Sequence, residues 1–185
     1  EEFKQPEKPK FLEKDKYYVI YRSCRTFASA VITPQDLQVS SENGKYEIVT
    51  SDATSYITTN DETKAYYYSV ILNYLAYKVI EERGAFERRQ NIRPLIAILH
   101  ANLKWKKDKW QLKVAKLGKQ LHQKSPKCLM RFIRKGMQVE KCFEMLRTCN
   151  ETEELFEDII KIVYEYIYEY NFNKLLRFVC KLKSQ

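Results

Sequence analysis

The N-terminal third of this 185-residue chain has short apolar stretches set between polar, turn-forming segments. YYVIY, FASAVI and KYEIVT are rich in β-branched and aromatic residues, and Pro34, Asn43 and Gly44 separate them. The ENGKYEI segment is typical of a hairpin, because Asn-Gly readily takes the positive φ angles that tight turns need. The pattern predicts a small antiparallel sheet over residues 17–58.

From residue 59 the apolar positions recur with the period of a helix. TTNDETKAYYYSVILNYLAYKVIEERG is predicted to be a mostly buried helix, capped by Thr59 or Asn60 and ended by Gly84. We expect its tyrosine run, Tyr66–Tyr68, to lie in the core. Further helices are predicted in RPLIAILHANL, DKWQLKVAKLGKQLH, PKCLMRFIRKG and VEKCFEMLRTC, and in the stretch from residue 151 to residue 182.

These patterns predict an α+β fold, with a small N-terminal antiparallel β-sheet followed by a mostly α-helical bundle. Residues 17–185 are expected to form a single domain that is β-rich over 17–58 and helical over 59–185. Residues 1–16 carry Pro6 and Pro9 among charged side chains, which is typical of a flexible tail or linker. Because the first residue is Glu1, we expect the chain to be processed or to be the end piece of a longer protein.

Charge is distributed unevenly along the chain. The net charge is +9, but residues 101–141 hold thirteen basic residues and two acidic ones, a local net of +11. Residues 150–170 hold seven acids and one lysine, a local net of −6. A basic segment of this density indicates a polyanionic partner.

The basic segment places its lysines with helical spacing. Lys109, Lys113, Lys116 and Gln120 follow one another at intervals of four, three and four, opposite a face formed by Trp110, Val114, Leu117 and Leu121. Lysines so arranged would contact phosphates. The alternative is a solvated helix face whose charge the acidic C-terminal helix neutralises. The candidate nucleic-acid-binding residues are Arg22, Arg25, Lys104, Lys106, Lys107, Lys109, Lys113, Lys116, Arg131 and Arg134.

Signatures of catalysis are missing from the sequence. It has no glycine-rich phosphate loop and no H-E-x-x-H motif, and neither His100 nor His122 has a nearby Cys or Ser in a nucleophile motif. The five cysteines include no short C-x-x-C pair, so we expect free thiols in a reducing cytoplasm. No catalytic residue, metal site, cofactor or membrane span is expected. A nuclease built on acids around the sheet is a weaker alternative, since nothing in the sequence holds those acids together.

Two stretches together resemble the C-terminal target-recognition region of N6-adenine DNA methyltransferases of the type I and single-chain restriction-modification kinds. YYVIYRSCRTFASAVI is similar to the strand that follows the catalytic domain in that family. SYITTNDETKAYYYSVILNYLAYKVI is similar to a passage in which a short strand leads into a helix. The residues that align with this passage are Asp61, Ala65, Tyr66, Tyr67, Ile71, Leu72 and Asn73.

A third stretch, RRQNIRPLIAILHANLKWKKDKWQLKVAKLGKQLH, is similar to the segment after this passage in large archaeal members, so the resemblance covers roughly residues 17–125. The family's catalytic tetrapeptide, Asn/Asp-Pro-Pro-Tyr/Phe, and its S-adenosylmethionine motif are absent from this sequence. The resemblance therefore implies a recognition module that does not methylate by itself.

The sequence leads to two hypotheses of function. The first is a non-catalytic module that binds DNA, duplex in preference to single strands. It would be either a recognition domain that works beside a methyltransferase catalytic domain or a stand-alone descendant of such a domain. The second is a helical protein-interaction module without nucleic-acid binding, which would dock a partner or a second copy through the C-terminal helix. That helix offers Ile159, Val163, Tyr166 and Tyr170 on one face and Glu154, Asp158, Lys161 and Glu165 on another.

Overall fold

A computed structural model describes residues 12–22, 29–42, 54–83, 103–133 and 152–169 of the chain. Within them lie three strands, β1 (Tyr17–Arg22), β2 (Ser29–Ile32) and β3 (Thr54–Thr59). The helices are α1 (Pro34–Glu42), α2 (Glu62–Arg83), α3 (Lys109–Ile133) and α4 (Glu153–Glu169). The predicted α+β fold, with an N-terminal antiparallel sheet followed by helices, is confirmed.

The three strands form one antiparallel sheet in the order β2-β1-β3. Val19 of the central strand pairs with Val31 of β2 and Ile57 of β3, and these side chains face α2. Because side chains alternate across a strand, Tyr18 points to the other face, where it packs with Leu12 and with Leu37 of α1. The sheet therefore separates α1 from the main core.

Helix α1 lies inside the segment that the sequence pattern predicted to be β-rich. The Thr33 hydroxyl accepts the Asp36 backbone N–H (3.2 Å), and the Asp36 carboxylate accepts the Thr33 N–H (2.8 Å). This reciprocal pair is a capping box with aspartate in the third helical position, and Pro34 occupies the first, where its missing N–H costs nothing. The prediction treated Pro34 as a strand separator and missed this helix start.

Helix α2 is the centre of the core. Its residues from Ala65 to Leu72 are all buried, so the prediction that the tyrosine run belongs to the core is confirmed. The predicted cap was wrong by one residue: the Asp61 carboxylate accepts the N–H groups of Thr63 (2.9 Å) and Lys64 (3.3 Å). An aspartate accepts two N–H groups and also carries a charge that suits a helix N-terminus.

Helix α2 is joined to the edge strand β2 by hydrogen bonds as well as by packing. The Asn73 side-chain amide accepts the Ser29 N–H (2.8 Å) and donates to the Ser29 carbonyl (2.9 Å). The Ser29 hydroxyl donates to the Ser69 carbonyl (3.0 Å). These contacts satisfy backbone groups at the end of an edge strand, which would otherwise need water.

Helices α3 and α4 complete the bundle on the α2 side of the sheet. Helix α3 begins at Lys109, close to the predicted start, but continues through Pro126 to Ile133. The prediction of two helices here was wrong: an interior proline costs a helix about 3 kcal/mol, and the backbone on both sides stays helical despite that cost.

Several predictions concern residues outside the described part of the chain. These are residues 1–11 of the predicted tail, the ENGKYEI hairpin, the helices in RPLIAILHANL and VEKCFEMLRTC, and the last residues of the C-terminal helix. The last part of the predicted tail, residues 12–16, is described, and Leu12 is buried against the sheet. The predicted strand KYEIVT also lies outside the described part, and the third strand of the described sheet is β3.

Candidate nucleic-acid interface

Six exposed lysines lie on a loop and on the helix that comes after it. Lys104, Lys106 and Lys107 belong to residues 103–108, which we call the basic loop, and Lys109, Lys113 and Lys116 belong to α3. We call these six side chains the lysine surface. In the part of the chain that the structure describes, none of the six side chains forms an ion pair with an acid. The lysine surface is therefore a positive surface whose ammonium groups have no ion-pair partner in the described ranges.

The two faces of α3 are sharply different. The side chains of Gln111, Val114 and Ala115 are at most 2% exposed, whereas the lysines at 109, 113 and 116 lie on the opposite face in solvent. Gly118 belongs to the buried face, where its lack of a Cβ lets α3 approach α2: an added Cβ would be 2.2 Å from Val70 Cγ2. This packing orients the lysine surface away from the core.

Gln111 is a fully buried polar residue beneath the basic loop. Its side-chain oxygen accepts the backbone N–H groups of Lys106 (2.7 Å) and Lys107 (2.9 Å). Its nitrogen donates to the Lys104 carbonyl (3.0 Å) and to the Tyr67 hydroxyl (3.1 Å). The amide therefore uses both donors and both acceptor positions, as a buried amide must to offset its desolvation.

Two tyrosines of α2 hold the same loop from the core side. The Tyr67 hydroxyl donates to the Leu103 carbonyl (2.7 Å), and the Tyr68 hydroxyl accepts the Trp105 N–H (3.3 Å). The Trp105 ring also packs on Tyr67, with centroids 5.2 Å apart. Each of residues 103–107 therefore has a backbone group that is hydrogen-bonded to the side chain of Tyr67, Tyr68 or Gln111.

The basic loop ends in a cap for α3. The Asp108 carboxylate accepts the Gln111 backbone N–H (2.8 Å), as an N-cap residue does. Immediately before it, Lys107 has a φ of 60°, a left-handed conformation that is unusual for a residue other than glycine. The loop therefore turns sharply into the helix, with a lysine at the turn.

Lys119, on the side of α3, is not part of the lysine surface. Its ammonium donates to the Glu62 carboxylate of α2 at 2.7 Å, and both side chains are about two-fifths exposed. A pair so exposed contributes little to stability, but it partly neutralises Lys119. The lysines at 109, 113 and 116 lie further round the helix.

The acidic helix α4 packs beside α3 and does not cover the lysine surface. Its apolar side chains Ile159 and Val163 are buried in the main core, while Glu154, Asp158 and Glu165 face solvent. Ile159 and Val163, the first two residues of the predicted partner-docking face, therefore pack within this chain. The side chain of Tyr166, and the whole of Tyr170, lie outside the described part.

Tyr66 and His122 meet between α2 and α3 with ring centroids 5.5 Å apart, edge to face. Burial raises the pKa of Tyr66 to about 12, and the nearby Glu62 and Asp36 charges act in the same direction. Burial lowers the pKa of His122, and the Asp36 charge opposes that shift. His122 is thus a packed, half-buried histidine of the kind that supports a fold.

The arginines proposed from the sequence are not placed at this surface by the structure. Arg22 is the last residue of β1 and Arg131 lies in the last turn of α3, and neither side chain is among those described. Arg25 and Arg134 lie outside the described residues altogether. The six lysines are therefore the predicted site residues that the structure brings together.

The residues that align with the methyltransferase passage have structural positions in this chain. Asp61 caps α2, and Asn73 binds the β2 backbone. The others, Ala65, Tyr66, Tyr67, Ile71 and Leu72, are buried. Strand β3 comes directly before α2.

Over the described ranges, no cluster of three or more histidine, cysteine or acidic side chains is placed to hold a metal ion. None of the helices in those ranges is long and apolar enough to cross a membrane. Comparison with known proteins gives no match to a protein family, to a curated protein or to a solved structure.

Proposed function

We propose that this protein is a non-catalytic DNA-binding module that attaches to the phosphate backbone of duplex DNA through the lysine surface. The observation that carries the proposal is the exposure of six lysines on one loop and one helix face, none of which forms an ion pair among the described residues. An amphipathic helix with a merely solvated outer face would be expected to alternate charge signs. Here the exposed charges of α3 from Lys109 to Lys124 are all positive.

The energetic basis of such binding is counterion release. Each lysine that neutralises a phosphate displaces condensed cations, and the affinity falls as salt rises. If all six lysines contact phosphates, the slope of log affinity against log salt is about −5. Lysine is a mobile point charge that positions a protein on the backbone and reads no base sequence.

The proposal extends to the role that the resemblance implies, a recognition module acting with an adenine-methylating catalytic domain. Its support is the strand–helix passage from β3 into α2, which includes the residues that carry the resemblance. A cytoplasmic location is part of the proposal, because cysteines without metal or redox spacing are typical of a reducing compartment.

Fluorescence anisotropy of a short labelled duplex at several salt concentrations tests the proposal. The variant Lys109→Glu/Lys113→Glu/Lys116→Glu, checked for folding by circular dichroism, is expected to lose binding. A matched pair of single variants sharpens the test. Lys113→Glu should reduce the salt slope by about one, whereas Lys14→Glu, which makes the same charge change, should leave the slope unchanged.

Lys14 is a suitable control because it is exposed and lies close in sequence to Leu12, which packs on the sheet face opposite α3. Equal binding by the triple variant and the unaltered protein would contradict the proposal, as would a complete lack of binding. In that case sedimentation analysis would address the alternative, a protein-interaction module.

A further inference from the structure

The buried network under the basic loop suggests a role beyond holding the fold together. Gln111 is 0% exposed, and all four hydrogen bonds of its side chain are made with the loop backbone and with the Tyr67 hydroxyl. The three loop lysines are the residues whose backbone groups it binds: the carbonyl of Lys104 and the N–H groups of Lys106 and Lys107. Their side chains extend into solvent.

We propose that Gln111, supported by Tyr67, is a positioning residue that holds Lys104, Lys106 and Lys107 in a preformed phosphate-binding arrangement. This inference rests on the proposed DNA binding and divides the six lysines into two groups by what positions them. Lys109, Lys113 and Lys116 are positioned by α3 itself. The loop lysines are positioned by one amide.

Preorganisation is the physical reason for such an arrangement. A free loop of six residues would lose backbone freedom when its lysines engaged phosphates, and that loss would weaken binding. In this protein the backbone from residue 103 to residue 107 is already bonded to buried side chains. The left-handed Lys107, with φ of 60°, is kept in place by the bond from its N–H to Gln111.

The test measures coupling between the amide and the loop lysines. Gln111→Met keeps the length and unbranched shape of the side chain but removes its hydrogen bonds. The Gln111→Met substitution is made in the unaltered protein and in a loop variant, Lys104→Gln/Lys106→Gln/Lys107→Gln. Duplex affinity and salt slope are then measured for all four proteins.

In the natural chain, Gln111→Met is expected to lower affinity between about fivefold and a hundredfold at 0.15 M salt, since each lost phosphate contact is worth about fivefold there by counterion release. The salt slope should fall by one to three units. In the loop variant the same substitution should have no effect, because the lysines that it positions are gone. Equal losses in both backgrounds, or no loss in either, would overturn the inference.

Limited trypsin digestion of the natural chain and of Gln111→Met gives a readout that needs no DNA. Cleavage after Lys104, Lys106 or Lys107, identified by fragment mass, should be faster in Gln111→Met, because an opened loop fits the protease. Equal cleavage rates would overturn the inference. Tyr67→Phe, which removes the hydroxyl between Gln111 and Leu103, is the milder second variant if Gln111→Met does not fold, and a smaller effect in the same direction is expected.

The two proposals fail in different ways. If binding depends on Lys109, Lys113 and Lys116 but shows no coupling to Gln111, the positioning role alone is wrong. If no variant changes DNA affinity, the proposed function is wrong and the positioning role falls with it.

Discussion

At the scale of single residues, Lys107 is where the backbone departs most from its ordinary preference. Its φ of 60° puts an L side chain in the left-handed region, at a cost of about 1–2 kcal/mol relative to glycine. The hydrogen bond that the Lys107 N–H donates to Gln111 offsets part of this cost, and the next residue, Asp108, is fixed as the cap of α3. A lysine in such a position offers a charge that glycine would not.

Substitutions at position 107 should therefore reverse the usual order of glycine and alanine. Lys107→Gly is expected to have a free energy of unfolding about 1 kcal/mol higher than Lys107→Ala, because only glycine takes this φ without strain. At Lys113, inside α3, alanine should instead be more stable than glycine by about 1 kcal/mol. Urea unfolding of the four variants checks both signs. The same order at both positions would contradict the left-handed conformation of Lys107.

The residues of the candidate site differed in how far the sequence could predict them. The dense lysines of residues 104–116, three of them at helical spacing, are visible in the sequence as charge, and the structure exposes all six. Gln111 was missed, because a glutamine in a basic segment looks like one more surface residue. Its position around the helix could have identified it, because Gln111 lies on the same side of the helix as Ala115 and Gly118, which are buried.

At the scale of elements, the close approach of α2 and α3 depends on Gly118. A Cβ there would lie 2.2 Å from Val70 Cγ2 and 3.5 Å from the Tyr66 carbonyl oxygen. No real contact is as short as the first of these, so a side chain at 118 forces the two helices or Val70 to move. The glycine sets how deeply α3 packs, and hence where the lysine surface stands.

Gly118→Ala is expected to destabilise the protein by up to about 2 kcal/mol, since overpacking costs about 1–3 kcal/mol and the gain in helix propensity is about 1 kcal/mol. In a Val70→Ala background, where the clashing methyl is gone, the same substitution should be neutral or stabilising. Urea unfolding of the two single variants and the double variant measures this change of sign. Stabilisation by Gly118→Ala in the unaltered protein would show that the helices separate without cost.

Strands and helices were predictable from the sequence where the periodicity of apolar side chains alone determines where they form. Strands β1 and β2 and the starts of α2 and α3 follow apolar patterns, and each was predicted within a few residues. Helix α1 was missed because its apolar period is weak: the described part buries only Leu37, and its start depends on the Thr33–Asp36 capping box. The continuation of α3 through Pro126 overrides a local preference that the sequence shows plainly.

At the scale of the whole molecule, the basic and acidic helices pack side by side with their charged faces in solvent. Among the described side chains, Lys109, Lys113 and Lys116 of α3 form no ion pair with an acid of α4, so these charges stay separated. Such a charge distribution acts over the Debye length, which is about 30 Å at 0.01 M salt and about 10 Å at 0.1 M. The acids of α4 should therefore repel a DNA strand that approaches the lysine surface.

Neutralising two of these acids is expected to raise DNA affinity without any new contact. Glu154→Gln/Asp158→Asn should bind a duplex about two- to fivefold more tightly at low salt, and the gain should vanish as salt screens the field. Lys161→Gln, on the exposed side of the same helix, is the control of opposite sign and should weaken binding slightly. Anisotropy titrations at low and high salt check both. A gain that persists at high salt would mean that these acids affect DNA by direct contact, and a loss of affinity would mean that α4 is itself part of a binding surface.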